Sequence, residues 1–395
     1  MRAVVLGACG AVGHEVSVGL ARSPEIKQVA LADLDEGRLR LLARRLPARV
    51  AVHRVDAASS GDLRKLLRGV DLVVNCTTYH LGLSVLTAAI AERADYIDVG
   101  GLYNTPRQLA LDGRARRAGV RAVIGCGTTP GLSNVLARRG AERMDAPEEV
   151  HISFASHRDL APSPGLLDTL LDEFRPGVDR FIWRDGRLRA VRPFDGARTV
   201  RFPPPLGMQR VFFVPHSETY TLPRSLGNGL REVTVRGTWR PEHMRLLQSL
   251  TRLGMTSERP VNIEGRAVRP LDVLRAVLLR DPPEDAGAPW AFFLHVEVAG
   301  RTDGERVVVV HRASHPLSWG KHATGRMTAV PVIAAAELLA RSEVGRVGVL
   351  PPEVAFEPEA FLAEVRAAGI RVTARKHQAS VPYRRSPKSP SPGRM

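Results

Sequence analysis

Residues 2–33 read RAVVLGACGAVGHEVSVGLARSPEIKQVALAD, and this stretch decides the fold. Residues 2–6 are a short apolar run that stops at a glycine, and residues 7–13 hold three glycines. Val16, Val18, Leu20 and Ala21 then follow a helical pattern that Ser23-Pro24 closes. Residues 28–32 (QVALA) form a second strand. A strand, a tight turn, a helix and a second strand in so few residues open a parallel βαβ unit.

The turn is Gly7-Ala-Cys-Gly10-Ala-Val-Gly13, spaced GxxGxxG rather than GxGxxG. Either spacing serves one need. Glycines let the backbone approach a diphosphate, and the N-terminus of the helix, here with Ala11 and Val12 in its first turn, offers free N–H groups and a partial positive charge. Gly13 allows close packing of helix on strand. Asp33 stands twenty residues beyond Gly13 at the end of the second strand. A carboxylate there accepts hydrogen bonds from the adenosine ribose and repels a 2′-phosphate, which favours NAD over NADP. Asp33 or Asp35 also suits the N-cap of the next helix, and Arg38 and Arg40 stand close enough to tolerate a phosphate.

The pattern repeats outward. Leu39, Leu41, Leu42 and Leu46 mark a helix closed by Pro47, and residues 50–55 a third strand with Asp56 just past it, within the same cofactor set. Residues 61–68 suit a short helix, and VDLVVN (70–75) is apolar almost throughout, as a strand buried on both faces requires. Helix 81–93, strand 95–99, helix 106–118 and strand 120–124 follow. The expected fold is α/β, a Rossmann-type doubly wound parallel sheet over 1–135. From 136 to 320 strands at 150–155, 180–184, 198–202, 210–214, 231–236, 292–298 and 306–311, with helices at 241–253 and 270–279, indicate a separate α+β domain built around a largely antiparallel sheet. Residues 321–375, with helices 328–340 and 358–368 and a strand at 370–373, are expected to return to the first domain. The Ser/Pro/Arg-rich residues 376–395 hold too few apolar side chains to fold, and a disordered basic tail is expected.

Composition narrows the function. The net charge is +16, yet only five of the 57 basic residues are lysines and the arginines are scattered. Residues 375–395 supply six positive charges and no negative one. With no aromatic platform, helix-turn-helix or zinc finger, specific nucleic-acid binding is not expected. Cys9, Cys76 and Cys126 are far apart, which argues against disulfides or a thiolate metal site, and no HExxH occurs. No metal is expected. No apolar run reaches the roughly 18 residues of a membrane span, and a cytoplasmic location is expected.

Past the fourth strand, NCTTYHLGLSVLTAAIAERADYIDVGG (75–101) and VIGCGTTPGLSNVLA (123–137) resemble the saccharopine dehydrogenase family, including its lysine dehydrogenase-like members. HSETYTLP (216–223) resembles a substrate-domain motif of that family, and ATGRMTAVPVIAAAELLARSEVGRVGVLPPE (323–353) its closing helix and turn. Residues 150–210 match poorly. The resemblance implies a Rossmann domain completed by C-terminal segments and interrupted by an inserted α+β substrate and dimerisation domain at 136–320, a homodimer through that domain, and NAD(P)-linked oxidation of a C–N bond in an amino acid or amino-acid conjugate, or its reductive formation. A reductive NADPH-using condensing enzyme of polyamine or lysine metabolism, and a dinucleotide-binding protein without chemistry, are the alternatives.

Ligands of a doubly wound sheet lie beyond the carboxyl ends of its strands. Cys76 and Thr77 follow the fourth strand and Gly127 and Pro130 the sixth, which puts all four beside the cofactor. Oxidising an amine requires proton removal and later activation of a water. Tyr79, Asp98, Lys321 and His322 are the polar candidates for that work. Tyr79 also suits stacking on the cofactor, and Asp98 suits binding the amides of the following glycines. For the amino-acid substrate, Arg224 suits a carboxylate, Glu218 an amine, and Thr324, at the start of the returning helix, an anion.

Overall fold

The computed structural model describes residues 1–47, 49–100, 102–227, 229–280 and 289–378. Six strands rise in chain order: β1 (Arg2–Leu6), β2 (Gln28–Asp33), β3 (Val50–Arg54), β4 (Leu72–Asn75), β5 (Asp95–Asp98) and β6 (Arg121–Val123). The second sheet contains β7 (Ala146–His157), β8 (Phe181–Arg184), β9 (Arg187–Ala190), β10 (Arg198–Arg201), β11 (Met208–Phe213) and β12 (Glu232–Thr238). After a separate hairpin of β13 (Val261–Ile263) and β14 (Arg266–Val268) come β15 (Ala291–Thr302), β16 (Glu305–Ser314), β17 (Gly348–Leu350) and β18 (Arg371–Gln378).

The first sheet is parallel throughout, in the order β17-β6-β5-β4-β1-β2-β3, so the doubly wound expectation holds. Its strands alternate between two cores. Val5, Leu31, Val74 and Ile97 face one cluster, and Val4, Val73, Tyr96 and Ala122 face the other. That alternation is why β4 is buried at every residue. The second sheet is mixed, in the order β10-β11-β12-β7-β15-β16-β18, with β12 and β7 parallel and the other pairs antiparallel.

The two sheets share one core, since the cluster on one face of the first continues into Phe154, Val233 and Val296 of the second. Helix Ala323–Ala340 bridges them. It packs on the first helix, Ala11–Arg22, so closely that a Cβ on Gly325 would stand 2.5 Å from the Ala11 carbonyl oxygen. With the short turn before it, this helix is long and apolar enough to span a bilayer, but 72% of its most apolar stretch is buried inside the fold.

The returning segment divides between the sheets. β17 extends the parallel sheet, whereas β18 pairs with β16 of the second, not with the first domain. Lys376–Gln378 close β18 rather than begin a tail, and residues 379–395 lie outside the described residues. Helices Leu132–Ala141, Pro164–Phe174 and Glu218–Ser225 have no counterpart in the sequence reading. The third carries Pro223 in its interior, a residue that ordinarily argues against a helix.

Candidate active site

A cleft of about 1090 Å³ joins the glycine turn to the second sheet. At the turn, Gly7 takes a φ of +74° and donates its N–H to Ala32 O at 2.9 Å. A Cβ on Gly13 would stand 2.0 Å from the Gly7 carbonyl oxygen, so no larger residue fits. Gly7, Gly10, Ala11 and Val12 line the cleft, and the free amides of the first helix open toward it. Of the two rival caps, Asp35 takes the role by accepting the Arg38 N–H at 2.9 Å. Asp33 is left to line the cleft, its Oδ2 bracing the turn through the Cys9 N–H at 2.9 Å. Arg38 lines the same end and donates to Cys9 O at 2.6 Å. Asp56 is there too, accepting the Ala58 N–H at 2.8 Å.

Beyond β4, the Asn75 carboxamide oxygen accepts from the Thr77 N–H at 3.1 Å and its hydroxyl at 2.6 Å, which sets the turn that brings Cys76, Thr77 and Tyr79 to the cleft. Burial pushes the Cys76 thiol up to about 12 and Cys126 higher still, so neither is a thiolate at neutral pH. Pro130 lines the cleft, while Gly127 sits beneath it, donating to Pro130 O at 2.8 Å.

Asp98 is different. It is buried away from the cleft lining and holds four donors: the Gly100 and Gly125 amides at 3.0 and 2.7 Å on Oδ1, the Tyr96 hydroxyl and Gln108 Nε2 at 2.8 and 2.6 Å on Oδ2. Burial raises its carboxyl against those hydrogen bonds. The carboxylate ties the ends of two strands together and does not line the cleft, which corrects its expected catalytic role.

Two substrate candidates are also displaced. Arg224 is exposed at the end of its helix, away from the cleft, and donates to Tyr220 O. Glu218 is fully buried behind the wall, where its Oε1 accepts from Thr129 and Ser133 hydroxyls, both at 2.7 Å. Its Oε2 stands 3.7 Å from His216 Nδ1. Lys321, His322 and Thr324 do line the cleft, beside the start of the first helix, where His322 pairs with Glu15 at 2.8 Å. The Thr324 hydroxyl is buried with no hydrogen-bond partner among the described residues.

The sequence reading did not single out His216 or Glu173, which the cleft wall brings together. His216 Nδ1 lies 3.3 Å from the Thr129 hydroxyl oxygen, and Nε2 lies 3.5 Å from Glu173 Oε1. The Thr129 hydrogen goes to Glu218, so Nδ1 must donate, and Nε2 donates to the Glu173 carboxylate. Burial alone would lower the imidazole, but Glu173 and Glu218 outweigh it and push it up to about 9.

Two family profiles match this chain. The saccharopine dehydrogenase NADP binding domain covers residues 3–123, and the saccharopine dehydrogenase C-terminal domain covers residues 178–370. The chain belongs to the saccharopine dehydrogenase family. It is thus an NAD(P)-dependent oxidoreductase, and a turn that excludes any side chain at Gly13 fits that cofactor. Among family relatives, carboxyaminopropylagmatine dehydrogenase of Synechocystis sp. is 23% identical, over 94% of this chain and 96% of its own. Carboxynorspermidine synthase of Vibrio cholerae is 24% identical over 82% of each. In fold the chain is similar to the apo L-Glu-forming saccharopine dehydrogenase of Saccharomyces cerevisiae, with a TM-score of 0.72 and 15% identity over 95% of this chain and 99% of that one. Homospermidine synthase of Legionella pneumophila, solved with NAD, gives 0.66 and 15% over 98% and 94%.

The one signal for His216 was its place at the head of HSETYTLP. Glu173 had none, because it ends a helix in the region 150–210, where the resemblance to the family is poor.

Proposed function

We propose that this saccharopine dehydrogenase-like protein oxidises, or forms reductively, the C–N bond of an amino-acid conjugate of an amine, of the carboxyalkyl-polyamine kind named for its two sequence relatives. The observation that carries this reading is the single cleft shared by a dinucleotide turn and a wall that sets the buried Glu173 among aromatic rings. When bound, NAD(P) supplies or accepts the hydride. The chain's own work is to hold the reactants in register, which is the larger part of such catalysis.

Gly7, Gly10 and Gly13, with the amides of Ala11 and Val12, would hold the diphosphate. Asp33 would take the adenosine ribose and favour NAD, Asp56 would lie at the adenine end, and Cys76, Thr77 and Pro130 would pack along the nicotinamide half, with Gly127 supporting Pro130. Because Lys321, His322 and Thr324 stand where the bridging helix meets the first helix, we assign them to the diphosphate rather than to substrate or proton transfer. Tyr79 remains our candidate for proton handling at the substrate nitrogen, whose neighbouring carbon gives up the hydride. Residues 1–135 would form the cofactor unit and 136–320 the substrate and dimerisation unit of a cytoplasmic homodimer.

Titration with NADH and NADPH followed by nicotinamide fluorescence tests the cofactor half. Turnover of saccharopine, carboxynorspermidine and carboxyaminopropylagmatine tests the rest. Binding of neither dinucleotide, or binding without turnover of any conjugate, overturns the reading.

A further inference from the structure

The substrate wall contains a buried carboxylate that has one oxygen without a hydrogen-bond donor among the described residues. Glu173 ends helix Pro164–Phe174 and is only 2% exposed. Its Oε1 is paired with His216, but Oε2 has no hydrogen-bond partner among the described residues, although the side chain lines the cleft. The two nearest guanidinium groups, Arg158 and Arg180, pull its carboxyl down through space, but neither donates to Oε2. Arg158 donates to the carbonyls of Asp159, Leu160 and Leu166, and Arg180 to the Glu173 carbonyl. Burial pushes the Glu173 carboxyl up, against the opposing pull of His216, Arg158 and Arg180. A buried carboxylate oxygen without a donor is costly, and an arriving N–H with positive charge removes that cost.

Phe154, Trp239, Trp290 and Phe292 all line the same cleft. Phe154 stacks on His216 with ring centroids 5.5 Å apart and meets Trp239 edge-on, also at 5.5 Å. Aromatic faces attract ammonium groups, and the low-polarity wall strengthens the attraction. Ser156 Oγ and Trp239 Nε1, buried and without partners among the described residues, are donors left for carboxylate oxygens.

We infer that Glu173, held in place by the His216–Glu218 pair, is the group that receives the cationic nitrogen of the substrate. The inference rests on the C–N reading above and names the residue that selects for it. His216 is a positioning residue here. It fixes Oε1 and so aims Oε2, while Glu218 and Thr129 fix the ring from behind.

The test is calorimetric titration of the NADH-loaded full chain with agmatine, norspermidine and lysine, in wild type, Glu173→Gln and Glu173→Asp. Wild type binds at least one of these amines. Glu173→Gln, which keeps the shape and removes the charge, weakens that binding by roughly 10- to 100-fold. Glu173→Asp falls between the two, and NADH affinity is the same in all three. In turnover the loss is in KM, with kcat retained. Equal amine affinity in wild type and Glu173→Gln overturns the inference while the C–N reading stands. Binding of glutarate but of no amine overturns it as well. Failure of NADH to bind removes the reading on which it rests.

Discussion

The substitution Asp98→Asn separates a structural carboxylate from a catalytic one. The carboxamide would keep one oxygen for the Gly100 and Gly125 amides but set an NH2 against the Tyr96 hydroxyl and Gln108 Nε2, both donors to Asp98 now. Two hydrogen bonds to a charged acceptor are lost, each worth about 1.5–3 kcal/mol. Relaxation returns part of this, because Gln108 can reverse its amide and the Tyr96 hydroxyl has the Gly82 carbonyl 3.3 Å away. We expect a net loss of about 2–4 kcal/mol, a large share of the roughly 5–15 kcal/mol that holds a domain together. Asp98→Ala also strands the two backbone amides, which cannot turn away, and should cost about 4–6 kcal/mol. Urea unfolding measures the stability change, and turnover per folded molecule measures any catalytic loss. The structural reading requires a lower midpoint with turnover within about tenfold of wild type, because a lost general base costs about 10²–10⁴-fold. A wild-type midpoint with turnover down about 10³-fold would refute it.

Asp33→Asn keeps an acceptor for the Cys9 N–H and removes the charge proposed to meet the ribose; the NADH/NADPH affinity ratio should fall by about 10- to 100-fold, with Arg38 on the same end of the cleft to meet the 2′-phosphate. An unchanged ratio in fluorescence titration would end the NAD argument. Thr324→Val removes a buried hydroxyl that has no partner among the described residues, so stability should hold or rise while NADH binding weakens by about tenfold. Unaltered NADH affinity would take the bridging helix out of the diphosphate site. His216 is raised from 6.5 to about 9 in the fold, so its contribution of about 3 kcal/mol is fully present below pH 6.5 and is lost as pH rises through 9. Denaturation midpoints should therefore decline between about pH 7 and 10 in wild type and decline less in His216→Gln; matching profiles would show that His216 is not the titrating group.

The cofactor half was legible because its chemistry is local. A diphosphate needs bare backbone at a strand-to-helix turn, and a ribose needs an acid at the end of the next strand, so Gly7, Gly13 and Asp33 carry their meaning within 33 residues. Likewise, strands buried on both faces must be apolar throughout, and β4 announces the parallel sheet by itself. Asp98 shows the limit of such reasoning. Its position after β5 suits catalysis, but its four partners come from residues 96, 100, 108 and 125, and only the folded turns aim them all at one carboxylate. Glu218 and Arg224 failed for a related reason: a helix containing Pro223 turns the first into the wall and the second to solvent. The substrate wall assembles Phe154, Glu173, His216 and Trp239 from segments separated by tens of residues, with no spacing rule to link them. Local sequence thus determined the sheet and the glycine turn that ends its first strand. Tertiary packing decided which acids face the cleft, because burial and the supply of donors are set by the neighbours that a fold brings and not by the residues alongside.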